Sequence, residues 1–230
     1  MRQVPDYGDD RNKGFCVHCG GSYETDDHMP SKVFLDKPFP ENLPVSPACA
    51  KCNEGFSSDE EYVACLLECV LAGDANPDRI GRPSIARKLR DQPLLQQRLA
   101  QARQSNGAAV SWNVETARIR NVVVKLARGH AAFEMNEPRL DDPTSVGFTP
   151  LVTMAPDQRR AFEHEGPELG IWPEVGSRAM SRLLVVDDDA FEEGWLLVQE
   201  ERYRYRVLQD DGFRVKLVIR EYLAAEICWE

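Results

Sequence analysis

Two Cys-x-x-Cys pairs, Cys16-Val17-His18-Cys19 and Cys49-Ala50-Lys51-Cys52, constrain this chain more than any other feature. Each pair is a knuckle whose two thiolates can share one tetrahedral metal ion, and two knuckles complete an all-cysteine site. Zn2+ is the usual occupant, and four thiolates leave it no open coordination position, so the expected role of Cys16, Cys19, Cys49 and Cys52 is structural. The surrounding stretch, residues 14–58, is rich in Cys, Gly, Pro and Asp and shows little hydrophobic periodicity. A segment that poor in core formers needs a staple such as a metal. Nothing around either pair has the pattern of a thioredoxin-like redox unit.

The chain as a whole reads as ordinary globular sequence, 42% hydrophobic and 29% charged. No apolar run approaches the ~20 residues that span a bilayer. The polar N-terminus lacks the apolar core of a signal peptide, so the expected location is cytoplasmic, with no membrane partner. The fold expected is α+β: an N-terminal zinc-stapled module over 14–72, a basic helical region over 73–138 and a small antiparallel sheet over 139–230. Ser57 and Glu60 stand at capping-box spacing before the apolar series Val63, Leu66, Leu67, Val70 and Leu71, with Gly73 as terminator. Helical periodicity continues through 84–104, broken at Pro93, and through 114–135. Residues 145–153 read as a strand and 156–164 as a short helix. From Val175 the pattern is largely period two, with Asp210-Asp211-Gly212 as a hairpin turn. Cys65, Cys69, His130, Trp172, Trp195 and Trp229 read as core.

Charge is unevenly distributed. The net is −10 overall, but −7 over residues 1–70, +6 over 71–140 and −9 over 141–230. The overall balance argues against a general nucleic-acid coat protein. The basic middle is where a phosphate-facing surface is expected, on Arg87, Lys88, Arg90, Arg118, Lys125 and Arg128. Arg202, Arg204 and Arg206, interleaved with Tyr203 and Tyr205, fit a half-buried strand better than a nucleic-acid platform.

Between the knuckles stands Asp26-Asp27-His28-Met29-Pro30, followed by Asn42-Leu43, and Asn53 directly follows Cys52. This series within a Cys-x-x-Cys frame resembles the HNH endonuclease family, which reads C-x-x-C, D-H-x-x-P, N-L and C-x-x-C-N in that order. The resemblance covers about residues 14–62. It departs from the family in two places: Pro30 follows Met29 directly, and Asn53 is followed by Glu54-Gly55-Phe56 and Asp59-Glu60-Glu61 where many members carry Arg or Lys.

The resemblance implies a ββα-metal module, with His28 as the general base that activates water and Asn42 bracing its loop. It also implies that Asp27 and Asn53 ligate one catalytic Mg2+ or Mn2+. The chemistry calls for these residue types: phosphodiester hydrolysis needs a base poised near neutrality and a cation at the leaving oxygen. Hard oxygen ligands suit Mg2+. The expected function is a metal-dependent endonuclease that hydrolyses phosphodiester bonds in double-stranded DNA, with RNA not excluded, of the kind that serves as a defence effector. A partner protein that delivers the substrate would offset the acidic balance. The alternative is a zinc-dependent nucleic-acid or protein binding module without nuclease activity.

Overall fold

Strand β1 (Thr25–His28) pairs antiparallel with β2 (Val45–Ala48), Thr25 opposite Ala48 and His28 opposite Val45, and the chain then enters the long helix α1 (Ala50–Ala72). The computed structural model describes residues 6–7, 10–41, 43–107, 109–164, 175–185, 194–209 and 212–230. Helices α2 (Pro83–Asp91) and α3 (Pro93–Ala102) follow, then a two-stranded hairpin of β3 (Arg103–Asn106) and β4 (Ala109–Trp112), and helix α4 (Thr116–Met135). Strand β5 (Ser145–Pro150), helix α5 (Pro156–His164) and helix α6 (Arg178–Val185) lead to four more strands. These are β6 (Leu196–Gln199), β7 (Tyr203–Gln209), β8 (Phe213–Ile219) and β9 (Leu223–Trp229). The architecture is α+β. Among the described residues, no helix is long and apolar enough to cross a membrane.

The chain divides into two compact units, Met1–Phe56 with Val123–Glu230, and Ser57–Val122, the divisions falling inside α1 and α4. In the first unit the five C-terminal strands form an antiparallel sheet in the order β5-β9-β8-β7-β6. One face packs on α4. There His130 stacks on Tyr205 at 3.6 Å and hydrogen-bonds Tyr203 at 2.7 Å, while the Tyr205 hydroxyl donates to Glu134 at 2.6 Å. The opposite face carries a second cluster of Leu151, Phe162, Trp195, Val218 and Ala224. Cover on both faces explains why β8 is buried almost without interruption, although its sequence alternates. Gly129 lets α4 approach the end of β1, because a Cβ there would overlap the buried Met29 side chain.

The second unit is built on the later turns of α1. Tyr62 accepts the Glu115 amide on its hydroxyl at 3.0 Å, and Asp59 receives both Arg118 and Asn121. Cys65 and Cys69 lie fully buried, as expected, and burial pushes both thiols up to about 12. Gly73 ends α1 at φ +65°, a conformation that favours glycine.

Three local expectations change. The Ser57–Glu60 box lies inside α1, which begins seven residues earlier: the Glu24 carboxylate takes the Ala50 amide at 2.8 Å and the Cys49 sulfur takes that of Cys52 at 3.4 Å. These groups cap the helix, so the serine is not needed. Period two fails over Arg178–Val185, which is helical, with the Ser177 hydroxyl accepting the Met180 amide. Asn106-Gly107 is a turn, as read, but it joins a β3–β4 hairpin whose first strand, Arg103–Asn106, is too polar to signal a strand. Asp210, Asp211 and Trp172 lie outside the described residues.

Candidate metal centre and hydrolytic site

The two knuckles come together as the spacing demands. In the first, Cys16 donates its amide to Gly21 and accepts that of Gly20, each at 2.8 Å, with Gly20 at φ +74°. The second knuckle is the start of α1. The four sulfurs lie within 4.8 Å of one another, and those of Cys19 and Cys49 are 3.7 Å apart. Zinc–sulfur bonds of about 2.3 Å place tetrahedral sulfurs about 3.8 Å apart, so the cluster fits one ion such as zinc. Burial pushes the Cys16 and Cys52 thiols up, and neighbouring thiols raise Cys52 further. A divalent cation held here would offset the penalty of gathering four thiolates.

His18, inside the first knuckle, is no ligand. Its buried ring donates from Nε2 to Asp27 Oδ2 at 3.0 Å and rests edge-on against Phe56. Asp27 is 4% exposed. Its other oxygen, Oδ1, accepts from Lys125 Nζ at 2.8 Å, and Lys125 also donates to Ser31 Oγ at 2.8 Å. Burial alone would raise the Asp27 pKa, but His18 and Lys125 together outweigh it and hold the carboxyl below its ordinary range. Both Asp27 oxygens therefore have occupants. A divalent ion on Asp27, as expected from the sequence, would have to share the carboxylate with a buried ammonium and the His18 ring.

Strand alternation puts Asp26 and His28 on the face of β1 opposite Asp27. His28 is half-buried, and its ring makes no hydrogen bond among the described residues. Burial, then the charge of Lys32, lowers its pKa against the opposing pull of Asp27 and Asp26. The ring is thus neutral near pH 7, the form a base requires. Asn53, in the first turns of α1, leans on β1: its Nδ2 lies 3.4 Å from both Thr25 Oγ1 and the Asp26 carbonyl. Asp26 is exposed and accepts the Tyr23 hydroxyl on Oδ1 at 2.8 Å. The carboxylate whose residue adjoins Asn53 is therefore Asp26. Asn42 lies outside the described residues.

The six basic residues expected to face phosphate have mostly found other partners. In the second unit, Lys88 pairs with Glu61 at 2.7 Å, Arg90 with Asp78 at 2.8 Å, and Arg118 with Asp59 and Glu115. In the first unit Lys125 is 1% exposed, and Arg128 donates to the carbonyls of His18, Leu140 and Asp141. Among the described residues, Arg87 alone of the six is exposed without an ion pair. Helical spacing shows which face a residue occupies but not which distant carboxylate meets it. Arg202 and Arg204 are likewise paired, with Asp36 at 2.6 Å and with Glu163 and Glu221 at 3.1 and 2.9 Å, as a structural strand requires. The sequence reading passed over Lys32, Lys37 and Lys51, which are exposed and make no ion pair among the described residues. Their signal was position: all three lie within the motif-bearing segment itself.

Comparison with protein-family models, with characterised proteins and with solved structures finds no match for this chain.

Proposed function

We propose that residues 14–72 form a zinc-stapled phosphodiester hydrolase of HNH type, acting on DNA, with RNA as the alternative polymer. The observation that carries this reading is the approach of Asn53 on α1 to β1, the strand that bears Asp26 and His28, in a strand–strand–helix arrangement beside the cysteine cluster. His28 takes the proton from the attacking water on a ring nitrogen that has no other partner among the described residues. Asp26 and the Asn53 amide oxygen would hold one Mg2+ or Mn2+, Asp26 in the part expected of Asp27. When bound, that ion would supply positive charge for the phosphate and the leaving oxygen. Asp27 instead fixes β1 from behind through His18 and Lys125.

The buried Lys125–Asp27 pair favours a second reading, a zinc-dependent nucleic-acid binding module without hydrolytic activity, because it already engages the carboxylate that the family pattern would use. Nicking of supercoiled plasmid by zinc-loaded protein with Mg2+ or Mn2+, beside His28→Ala, separates the two.

A further inference from the structure

The segment joining β1 to β2 is held in place with more contacts than a connecting loop needs. Its own Phe34 and Leu35 are buried. The Gln199 side chain grips the Asp36 backbone twice, accepting its amide at 2.8 Å and donating to its carbonyl at 3.0 Å. Arg202 donates to the Asp36 carboxylate at 2.6 Å. The C-terminal sheet thus sets the conformation of this loop.

The pinned loop displays two lysines and a ring. Lys32 and Lys37 are both exposed, with their ammonium nitrogens 5.8 and 5.9 Å from the centroid of the half-buried Phe39 ring. Neither forms an ion pair among the described residues, although the protein as a whole carries −10. Asp36, the acid beside Lys37, is drawn away by Arg202. The charge of Lys32 reaches His28, four residues earlier. Two uncompensated ammonium groups flanking an accessible aromatic face make the arrangement that holds a nucleic-acid strand: cations track the backbone and a base stacks on the ring.

We propose that Lys32, Lys37 and Phe39 grip a single nucleic-acid strand beside the cut, with an unstacked base on Phe39 and its flanking phosphates on the two lysines. This rests on the hydrolase reading and deepens it, since a base can reach Phe39 only where the strand is unpaired or locally opened. The lysine tips, now over the ring, swing outward to phosphate as the base arrives.

The test is fluorescence anisotropy with a labelled single-stranded oligonucleotide and its duplex, using zinc-loaded protein without other divalent ions. The single strand is expected to bind more tightly than the duplex. Lys32→Gln/Lys37→Gln should weaken single-strand binding at least tenfold and flatten the salt slope by about 1.4, about 0.7 for each lost phosphate contact. The charge-matched Arg159→Gln/Arg160→Gln should leave the slope unchanged. Phe39→Ala should weaken binding about tenfold, with Phe39→Trp restoring it. An unaltered slope in the double lysine variant, or unaltered binding by Phe39→Ala, overturns the proposal. Plasmid nicking by the same proteins keeps the two ideas apart. Loop variants that bind normally beside a dead His28→Ala remove the strand grip and leave the hydrolase. Loop variants that lose binding when no protein cuts leave the grip and remove the hydrolase. Zinc content and circular dichroism establish that each variant is folded.

Discussion

The ammonium of Lys125 on α4 and the carboxylate of Asp27 on β1 meet at 2.8 Å with their side chains 1% and 5% exposed. His18 approaches the same carboxylate from the first cysteine knuckle, so one buried group joins knuckle, hairpin and helix. Removing one partner of a buried pair leaves an uncompensated charge, which typically costs about 3–5 kcal/mol. Lys125→Met is expected to lose stability of that order by denaturant unfolding. Asp27→Asn/Lys125→Met should lose clearly less than the two single variants summed. Strict additivity would mean that the two residues are not coupled.

The cysteine cluster predicts about one zinc per chain by elemental analysis. Cys16→Ser and Cys49→Ser should each release the metal and unfold the N-terminal module, because metal binding here is folding energy. A zinc-free protein with an intact circular dichroism spectrum contradicts the staple.

Buried His130 gives stability a defined pH dependence. Burial, with a smaller contribution from the Lys125 charge, takes its pKa from 6.5 down to about 3. Above pH 6.5 the ring is neutral in both folded and unfolded chains, and the difference has no effect. Below pH 6.5 the unfolded chain takes up a proton that the folded chain refuses, so stability falls with pH until about pH 3. The slope from this residue is about 1.4 kcal/mol per pH unit. His130→Gln should be less stable at pH 7, having lost the stacked ring, yet lose less further stability between pH 6 and pH 4. Equal slopes for variant and parent would show that His130 is not the titrating group.

How much of this the sequence disclosed depends on the range of the interactions. Cys16, Cys19, Cys49 and Cys52 were legible because a metal demands fixed residue types at fixed spacing. The extent of α4 was legible from periodicity, the opening of α5 from Pro156, and the burial of His130 from its place on an apolar stripe. The partner of Lys125 was not, since 98 residues separate it from Asp27 and no local pattern encodes such a pair. Helix α6 was missed because its serine cap sits in a stretch dominated by period-two neighbours. The start of α1 was misread for a related reason: its cap comes from Glu24, 26 residues away, whereas the Ser57–Glu60 box is local and conspicuous.

The choice between Asp26 and Asp27 as ligand separates chemistry from scaffold. Asp26→Asn should weaken Mn2+ binding by calorimetry and leave stability nearly unchanged, because Asp26 is exposed. Asp27→Asn should lower stability and impair metal binding only indirectly. Asn53→Asp should retain more metal affinity than Asn53→Ala, since it keeps an oxygen ligand and adds charge. Strong loss of Mn2+ by a stably folded Asp27→Asn protein would return the ligand role to Asp27.

The most direct measurement is plasmid nicking by zinc-loaded His28→Ala beside the parent, in matched Mg2+ or Mn2+. The parent should nick. The variant should be slower by about 10²–10⁴-fold while keeping its zinc and its circular dichroism spectrum. Cleavage by His28→Ala at the parent rate, or no cleavage by the parent with either ion, would contradict a hydrolytic role for this residue.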